Sequence, residues 1–198
     1  RWKTFFVEFP YQDIERLNRE WSADEVGRFK KRRELFWVEA ELSDAKNWAA
    51  LPDVRMAARQ LMVASAEGPD TASGLLASPA QAELLASLQS LVESPDYDGF
   101  GLVSRDGVLL ASSFEEQVGL RLNAAGVTAL APVLEGRQVM TRPYQRGELL
   151  VGPDLVLDEP RMFAIAPVSD EQGGVIAAFV LTIEPEKDFT RILSIARL

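Results

Sequence analysis

Two arginines are the residues of this chain best suited to recognise a small molecule. Arg142 lies two positions before Tyr144 in "RQVMTRPY", and Arg161 two before Phe163 in "RMFAIAPVS". If both stretches are strands, alternation puts Met140, Arg142 and Tyr144 on one face. A guanidinium beside an aromatic ring can clamp a carboxylate through paired N–H donors while the ring covers an apolar part. A surface Arg beside a packed Tyr is spelled the same way and does neither. Arg161 and Phe163 open the next strand and could line the same pocket. Ser112 is small and polar enough to face a cavity, whereas Phe100, Leu102 and Phe114 read as core.

Other chemistry is thin. The chain has no Cys and no His. Thiol catalysis, thiolate metal sites and the commonest general base are therefore gone. Asp106-Gly107 and Asp170 to Gly174 read as turns, in which Asp caps local backbone and Gly supplies a positive φ. "GPDLVLDEP" (Gly152 to Pro160) lacks the alternating ladder of a calcium loop and reads as a solvated loop. "GFG" lacks the spacing of a nucleotide fingerprint. The 30 acidic residues offer many carboxylate pairs, but none is marked out for acid–base work. No catalytic residue, metal or cofactor is expected.

Composition sets the class. Of 198 residues, 47% are hydrophobic and 26% charged, as in an ordinary globular protein. The net charge of −9 argues against nucleic acid and anionic lipid as partners. Residues 1–66 carry 12 basic and 11 acidic side chains, so the acidity belongs to the rest. The one basic run, "RFKKRREL", reads as the solvated face of a helix. No apolar run approaches the roughly 20 residues of a membrane span. The chain opens on Arg1, so any signal peptide or anchor is expected outside it.

These residues need elements to hold them. After an extended lead-in ending at Pro10, helical periodicity begins near Gln12 and restarts at the capping-box spacing of "SADE", Ser22 to Glu25. The expected helix from Ser22 to Ala50 carries two adjoining apolar stripes, and Pro52 ends or kinks it. A helix over "PDVRMAARQLMVAS" follows, then a loop, "EGPDTASG". Another helix starts at Ser78-Pro79. From Asp96 the period changes. "GFGLVS-RDG-VLLASS" reads as a hairpin, "EEQVGLRLN" and "GVTALAPVLEG" as short helical or loop pieces, and "RQVMTRPY" as a third strand. "RMFAIAPVS-DEQGG-VIAAFVLTIE" reads as a longer hairpin, and a closing helix starts at Pro185. The expected fold class is α+β, with an antiparallel sheet of about five strands, a long N-terminal helix and a C-terminal helix. Residues 1–95 form the helical stalk and flanking helices, and 96–198 the sheet with its closing helix, both parts of one unit.

This order of elements resembles the Cache family, the PAS-like extracytoplasmic sensor domains of bacterial membrane receptors. The resemblance rests on "DYDGFGLVSRDGVLLASS", "GRQVMTRPY" and "MFAIAPVSDEQGGVIAAFVLTIEPEKDFTRIL", and covers about Ala40 to Leu198. It implies one PAS-like module on the periplasmic or extracellular side, serving a histidine kinase, chemoreceptor or cyclase. The amino-acid-binding subset has an Arg and a Trp in the segment after the first hairpin and an Asp near the end of the last strand. Here no Trp follows Trp48, and Thr182 stands about where that Asp would be. The resemblance therefore disfavours an amino acid as ligand.

The reading is a non-catalytic ligand sensor. Its expected ligand is a small molecule such as a carboxylate, held among Arg142, Tyr144, Arg161, Phe163 and Ser112. A homodimer is expected in the full receptor, with Phe29, Phe36 and Trp37 as contacts and the membrane reached only through flanking segments. The rival readings are an interaction or dimerising spacer module without a small ligand and, less favoured, a carboxylate-based hydrolase.

Overall fold

A computed structural model describes residues 23–66, 71–144, 150–151 and 160–184. The lead-in before Gln12, the loop at 152–159 and the closing helix from Pro185 lie outside the described residues. The chain divides into two units, one being Ala40–Pro185 and the other the residues on either side of it. The first unit holds the sheet.

Helix α1 spans Ala23–Ala49, one residue after the capping signal at Ser22. Helix α2 follows at Pro52–Ala66, with its proline in the first position, where the missing N–H costs nothing. Its buried residues Val54, Ala57, Ala58 and Leu61 fall at i, i+3, i+4 and i+7. The stretch read as a loop after it is helical from Thr71: α3 is Thr71–Leu76. Burial of Leu75 outweighs the weak helix propensity of its Thr, Ser and Gly neighbours. Helices α4 (Pro79–Ser87) and α5 (Gln89–Val92) complete this group.

The strands are β1 (Gly99–Ser104), β2 (Leu109–Ser112), β3 (Arg121–Leu122), β4 (Val139–Met140), β5 (Leu150–Val151), β6 (Met162–Ser169) and β7 (Val175–Ile183). Five of them form one antiparallel sheet in the order β2-β1-β7-β6-β4, with the last strand in the middle. This is a PAS-like arrangement. β3 and β5 pair separately, a small second sheet that two-residue strands do not announce in sequence. The third strand is shorter than its spelling suggests. At Thr141 one backbone bond remains, its N donating to Phe163 O at 2.9 Å, while its hydroxyl accepts from Phe163 N at 3.0 Å, and only an isolated bridge, Tyr144 to Arg161, follows. Pro143, with no N–H to give, stands in that interruption.

Both turns form as expected. Gly107 has φ +75° and Gly173 φ +84°. Asp170 Oδ1 accepts from Gln172 N and Gly174 N at 3.0 and 2.7 Å. Arg59 of α2 donates to both carboxylate oxygens of Glu171 at this hairpin's tip, at 3.2 and 2.8 Å. The hydrogen bond and charge of Arg59 lower the Glu171 pKa.

The two faces of the sheet differ. Helix α2 packs on one face, across β1, β2, β6 and β7. That side is dry: Phe100 stacks on Phe179 with ring centroids 5.8 Å apart, and Leu181, Ile183, Ala164 and Ala166 are fully buried. The other face is covered by helix α6, Ala124–Leu134, which lies against β6 and β7. Asn123 starts α6 by accepting from Ala125 N and Gly126 N with its side chain.

The segment between β2 and α6 returns along the β2 edge. Gly119 N donates to Leu109 O, and Leu109 N to Leu120 O, each at 2.8 Å. Gly119 holds φ +84°, and a Cβ there would lie 2.7 Å from Ala72 Cα in α3. Gly173 has the same φ with nothing within 4 Å. Gly119→Ala is expected to lower stability by about 2–4 kcal/mol, from backbone strain plus overlap with fixed backbone. Gly173→Ala should cost only about 1 kcal/mol, the strain alone. Equal losses in denaturant unfolding would mean that α3 is not packed against this segment.

Candidate functional site

Between the α6 side of the sheet and the returning segment lies a cavity of about 90 Å³, measured as the space open to the centre of a water molecule. That is ample for several waters or one small molecule. Strand alternation explains why it opens here. Along β7, Phe179, Leu181 and Ile183 are buried on the dry side, while Val180 and Thr182 between them keep partial exposure and line the cavity. Phe163 of β6 is likewise half-buried, and the buried Ile165 lines the cavity beside it.

The roof is α6. Gly126, Ala129 and Leu130, at i, i+3 and i+4, face the cavity. Two of the three are small, so the helix covers the sheet without filling the space beneath it. Phe114, Gln117 and Leu122 close one side from the returning segment.

Among the described residues the lining is mainly apolar, with Asp98, Gln117 and Thr182 as its polar side chains. Asp98 Oδ2 accepts from Arg161 Nε at 2.6 Å, and the two side chains are 27% and 10% exposed. Asp98 N donates to Thr182 O at 2.9 Å, which brings these two residues to one end of the cavity. Gln117 Oε1 accepts from the Ser112 hydroxyl at 3.2 Å.

The residues singled out from sequence fall in different places. Phe163 lines the cavity. Arg161 stands behind it, paired to the lining Asp98. Ser112 is buried, and its hydroxyl is engaged by Gln117 and Phe114 N. Arg142 is exposed and lies over the Tyr144 ring, 4.0 Å from its centroid, and neither residue is among those lining the cavity. Phe36 is 64% exposed, whereas Trp37 is buried. The side chain of Phe29 lies outside the described residues. Sequence reasoning missed Asp98, Gln117 and the α6 residues. Asp98 is visible in "DYDGFG" just before the first strand, and Thr182 shares the parity of Val180, so both were findable once the strands were placed.

Among the described residues no group of three or more acidic side chains could hold a metal ion. Nor is any helix among them long and apolar enough to cross a membrane.

Superposition on solved structures places this architecture. An extracellular ligand-binding receptor from Desulfohalobium retbaense aligns over 88% of this chain, with TM-score 0.50 and 15% identity. The two share a fold. The chain spans 27% of that receptor's length. Looser superpositions reach the Escherichia coli DcuS sensor domain (TM-score 0.42, 13% identity, 71% of this chain and 93% of that one). They also reach the ligand-binding domain of the Pseudomonas aeruginosa amino-acid chemoreceptor PctC in complex with GABA (TM-score 0.44, 13% identity, 86% and 66%). No family model matches the chain, and no curated protein matches it.

The ion pair and the stacked arginine should respond differently to deletion. Arg161→Met strands a largely buried carboxylate and is expected to cost about 2–3 kcal/mol, below the full value for a wholly buried pair because Asp98 keeps some solvent. Arg142→Ala should stay within about 0.5 kcal/mol. Denaturant unfolding checks both, and a neutral Arg161→Met would remove the pair from the account.

Proposed function

We infer that this chain is the ligand-sensing, non-catalytic part of a bacterial membrane receptor, placed on the extracytoplasmic side. The observation that carries the reading is the unfilled cavity between sheet and α6, in a fold shared with an extracellular ligand-binding receptor. A spacer module would be expected to fill that space with its own side chains. Residues 1–95 and 96–198 act as parts of one sensing unit, a reading supported by the packing of α2 on the sheet.

The route out of the cavity starts from neighbours in sequence. Asp98 lines the cavity, and the Tyr97 hydroxyl donates to Asp44 of α1 at 2.6 Å. Burial, then the charges of Glu41 and Asp44 and the Asp44 hydrogen bond, push the Tyr97 pKa up, so the phenol keeps its proton and stays a donor. From the roof side, Gln138 Nε2, past the end of α6, donates to Leu42 O at 2.7 Å. Floor and roof are thus both tied to the same stretch of α1. A ligand that settles between them biases the position of that helix, a population shift between two arrangements. In the receptor two copies lie side by side through α1, with exposed Leu35 and Phe36 as the contact.

Two experiments test this. Amide spectra of the protein titrated with a panel of small molecules should show shifts at lining residues such as Gly101 and Thr182. Ala129→Phe, which fills the cavity, should weaken the response about tenfold or more. A panel that never moves those amides would reject the sensing site. Second, Phe36→Cys in the membrane-bound receptor should cross-link between copies at a rate that changes with ligand. Adding Tyr97→Phe should abolish that change. No cross-link at Leu35→Cys or Phe36→Cys rejects the dimer, and an unaltered ligand response in Tyr97→Phe rejects the route.

A further inference from the structure

We propose that the cavity selects an uncharged molecule with an apolar body and one hydrogen-bond-donating end, such as a small alcohol or primary amide. The inference rests on the reading of the cavity as a ligand site and adds the class of ligand.

Size comes first. A cavity of about 90 Å³ admits one small molecule. Charge comes next. Among the described residues no Lys or Arg lines the cavity, and Asp98, the one acidic side chain among them, is already matched by Arg161 at 2.6 Å. A carboxylate ligand would enter among Val103, Leu130, Phe163, Ile165 and Val180 with no cation among the described wall residues. An ammonium ligand would have to share Asp98 with Arg161. Either brings a net charge into an apolar enclosure without its own counter-charge, which is strongly disfavoured. An uncharged ligand meets neither penalty.

The polar end follows from what the protein leaves unused. Asp98 accepts one hydrogen bond, from Arg161, through Oδ2. Its Oδ1 and the Thr182 hydroxyl make no hydrogen bond to a described residue, and both residues line the cavity. The backbone bond from Asp98 N to Thr182 O holds them at one end. A carboxylate oxygen can only accept, and a hydroxyl can accept as well. The complement is an O–H or N–H donor. A primary amide has two, one for each residue. Gln117, whose Oε1 is occupied by Ser112, orients the far side and adds no charge.

The test uses four probes on one branched carbon skeleton: isopentyl alcohol, isovaleramide, isovalerate and isopentylammonium. Each is titrated into the whole chain while the amides of Gly101, Gly126 and Thr182 are followed. The alcohol and the amide should bind about tenfold or more tighter than either ion, as expected when a charge is buried unpaired. Ala129→Phe should abolish all such binding, which assigns it to the cavity. Thr182→Val, a near-isosteric change on a strand, should weaken the alcohol and the amide by about three- to tenfold, the worth of one hydrogen bond. Binding of isovalerate or isopentylammonium as tightly as the neutral probes, at the same amides, overturns the ligand class and leaves the cavity as a ligand site. Unchanged affinities in Thr182→Val overturn the assignment of the polar end. No response of these amides to any probe sinks both this inference and the reading beneath it.

Discussion

Strand β7 is paired along both edges, to β1 and to β6, and each of its faces is covered by a different helix. The rest of the architecture answers to that position. A strand with neighbours on every side must be apolar at nearly every residue, and "VIAAFVLTI" is. Its alternation then sorts the protein into two halves. Phe179, Leu181 and Ile183 lie on the side of α2 and the ring of Phe100, while Val180 and Thr182 line the space α6 leaves open and Ala178 packs in the core beside it. Thr182 is the one polar side chain in that run, and it lies on the open half.

Much of this was legible in the sequence, and the reasons are local. The hairpins announced themselves through Asp-Gly turns and alternation, and Pro52 and Pro79 marked helix starts that the structure places at those residues. What was not legible depends on tertiary context. Thr71–Leu76 has the composition of a loop and becomes helical because Leu75 is buried. β3 and β5 are two residues each, too short for any period, and form only because they meet one another. "RQVMTRPY" reads as a continuous strand, and only the pairing partner reveals that the Thr141 hydroxyl takes one of the two bonds to Phe163.

The arginines teach a related lesson about sites. Arg142 and Arg161 look equivalent in sequence, each two residues ahead of an aromatic. The structure separates them completely. One stacks on Tyr144 at the surface, and the other is buried against Asp98, a residue far away along the chain. A guanidinium in a sequence is only a possible clamp until its counter-charge is known. Here the counter-charge belongs to the protein, which changes what kind of visitor the neighbouring space will accept.

The small residues on α6 have a wider consequence. Gly126 and Ala129 line the cavity, and Leu130 is the one large side chain of that trio. Exchanging a few atoms at these two positions alters the volume below the helix while Phe100, Phe179 and the α2 contacts stay as they are. The α6 side has its own packed cluster in Val103, Leu130, Val133, Ile165 and Ala178, so only the small positions beside it are free to vary. A lineage, or an engineer building a biosensor, can retune what such a domain detects by re-cutting those few positions of one helix and leave the α2 side of the sheet untouched.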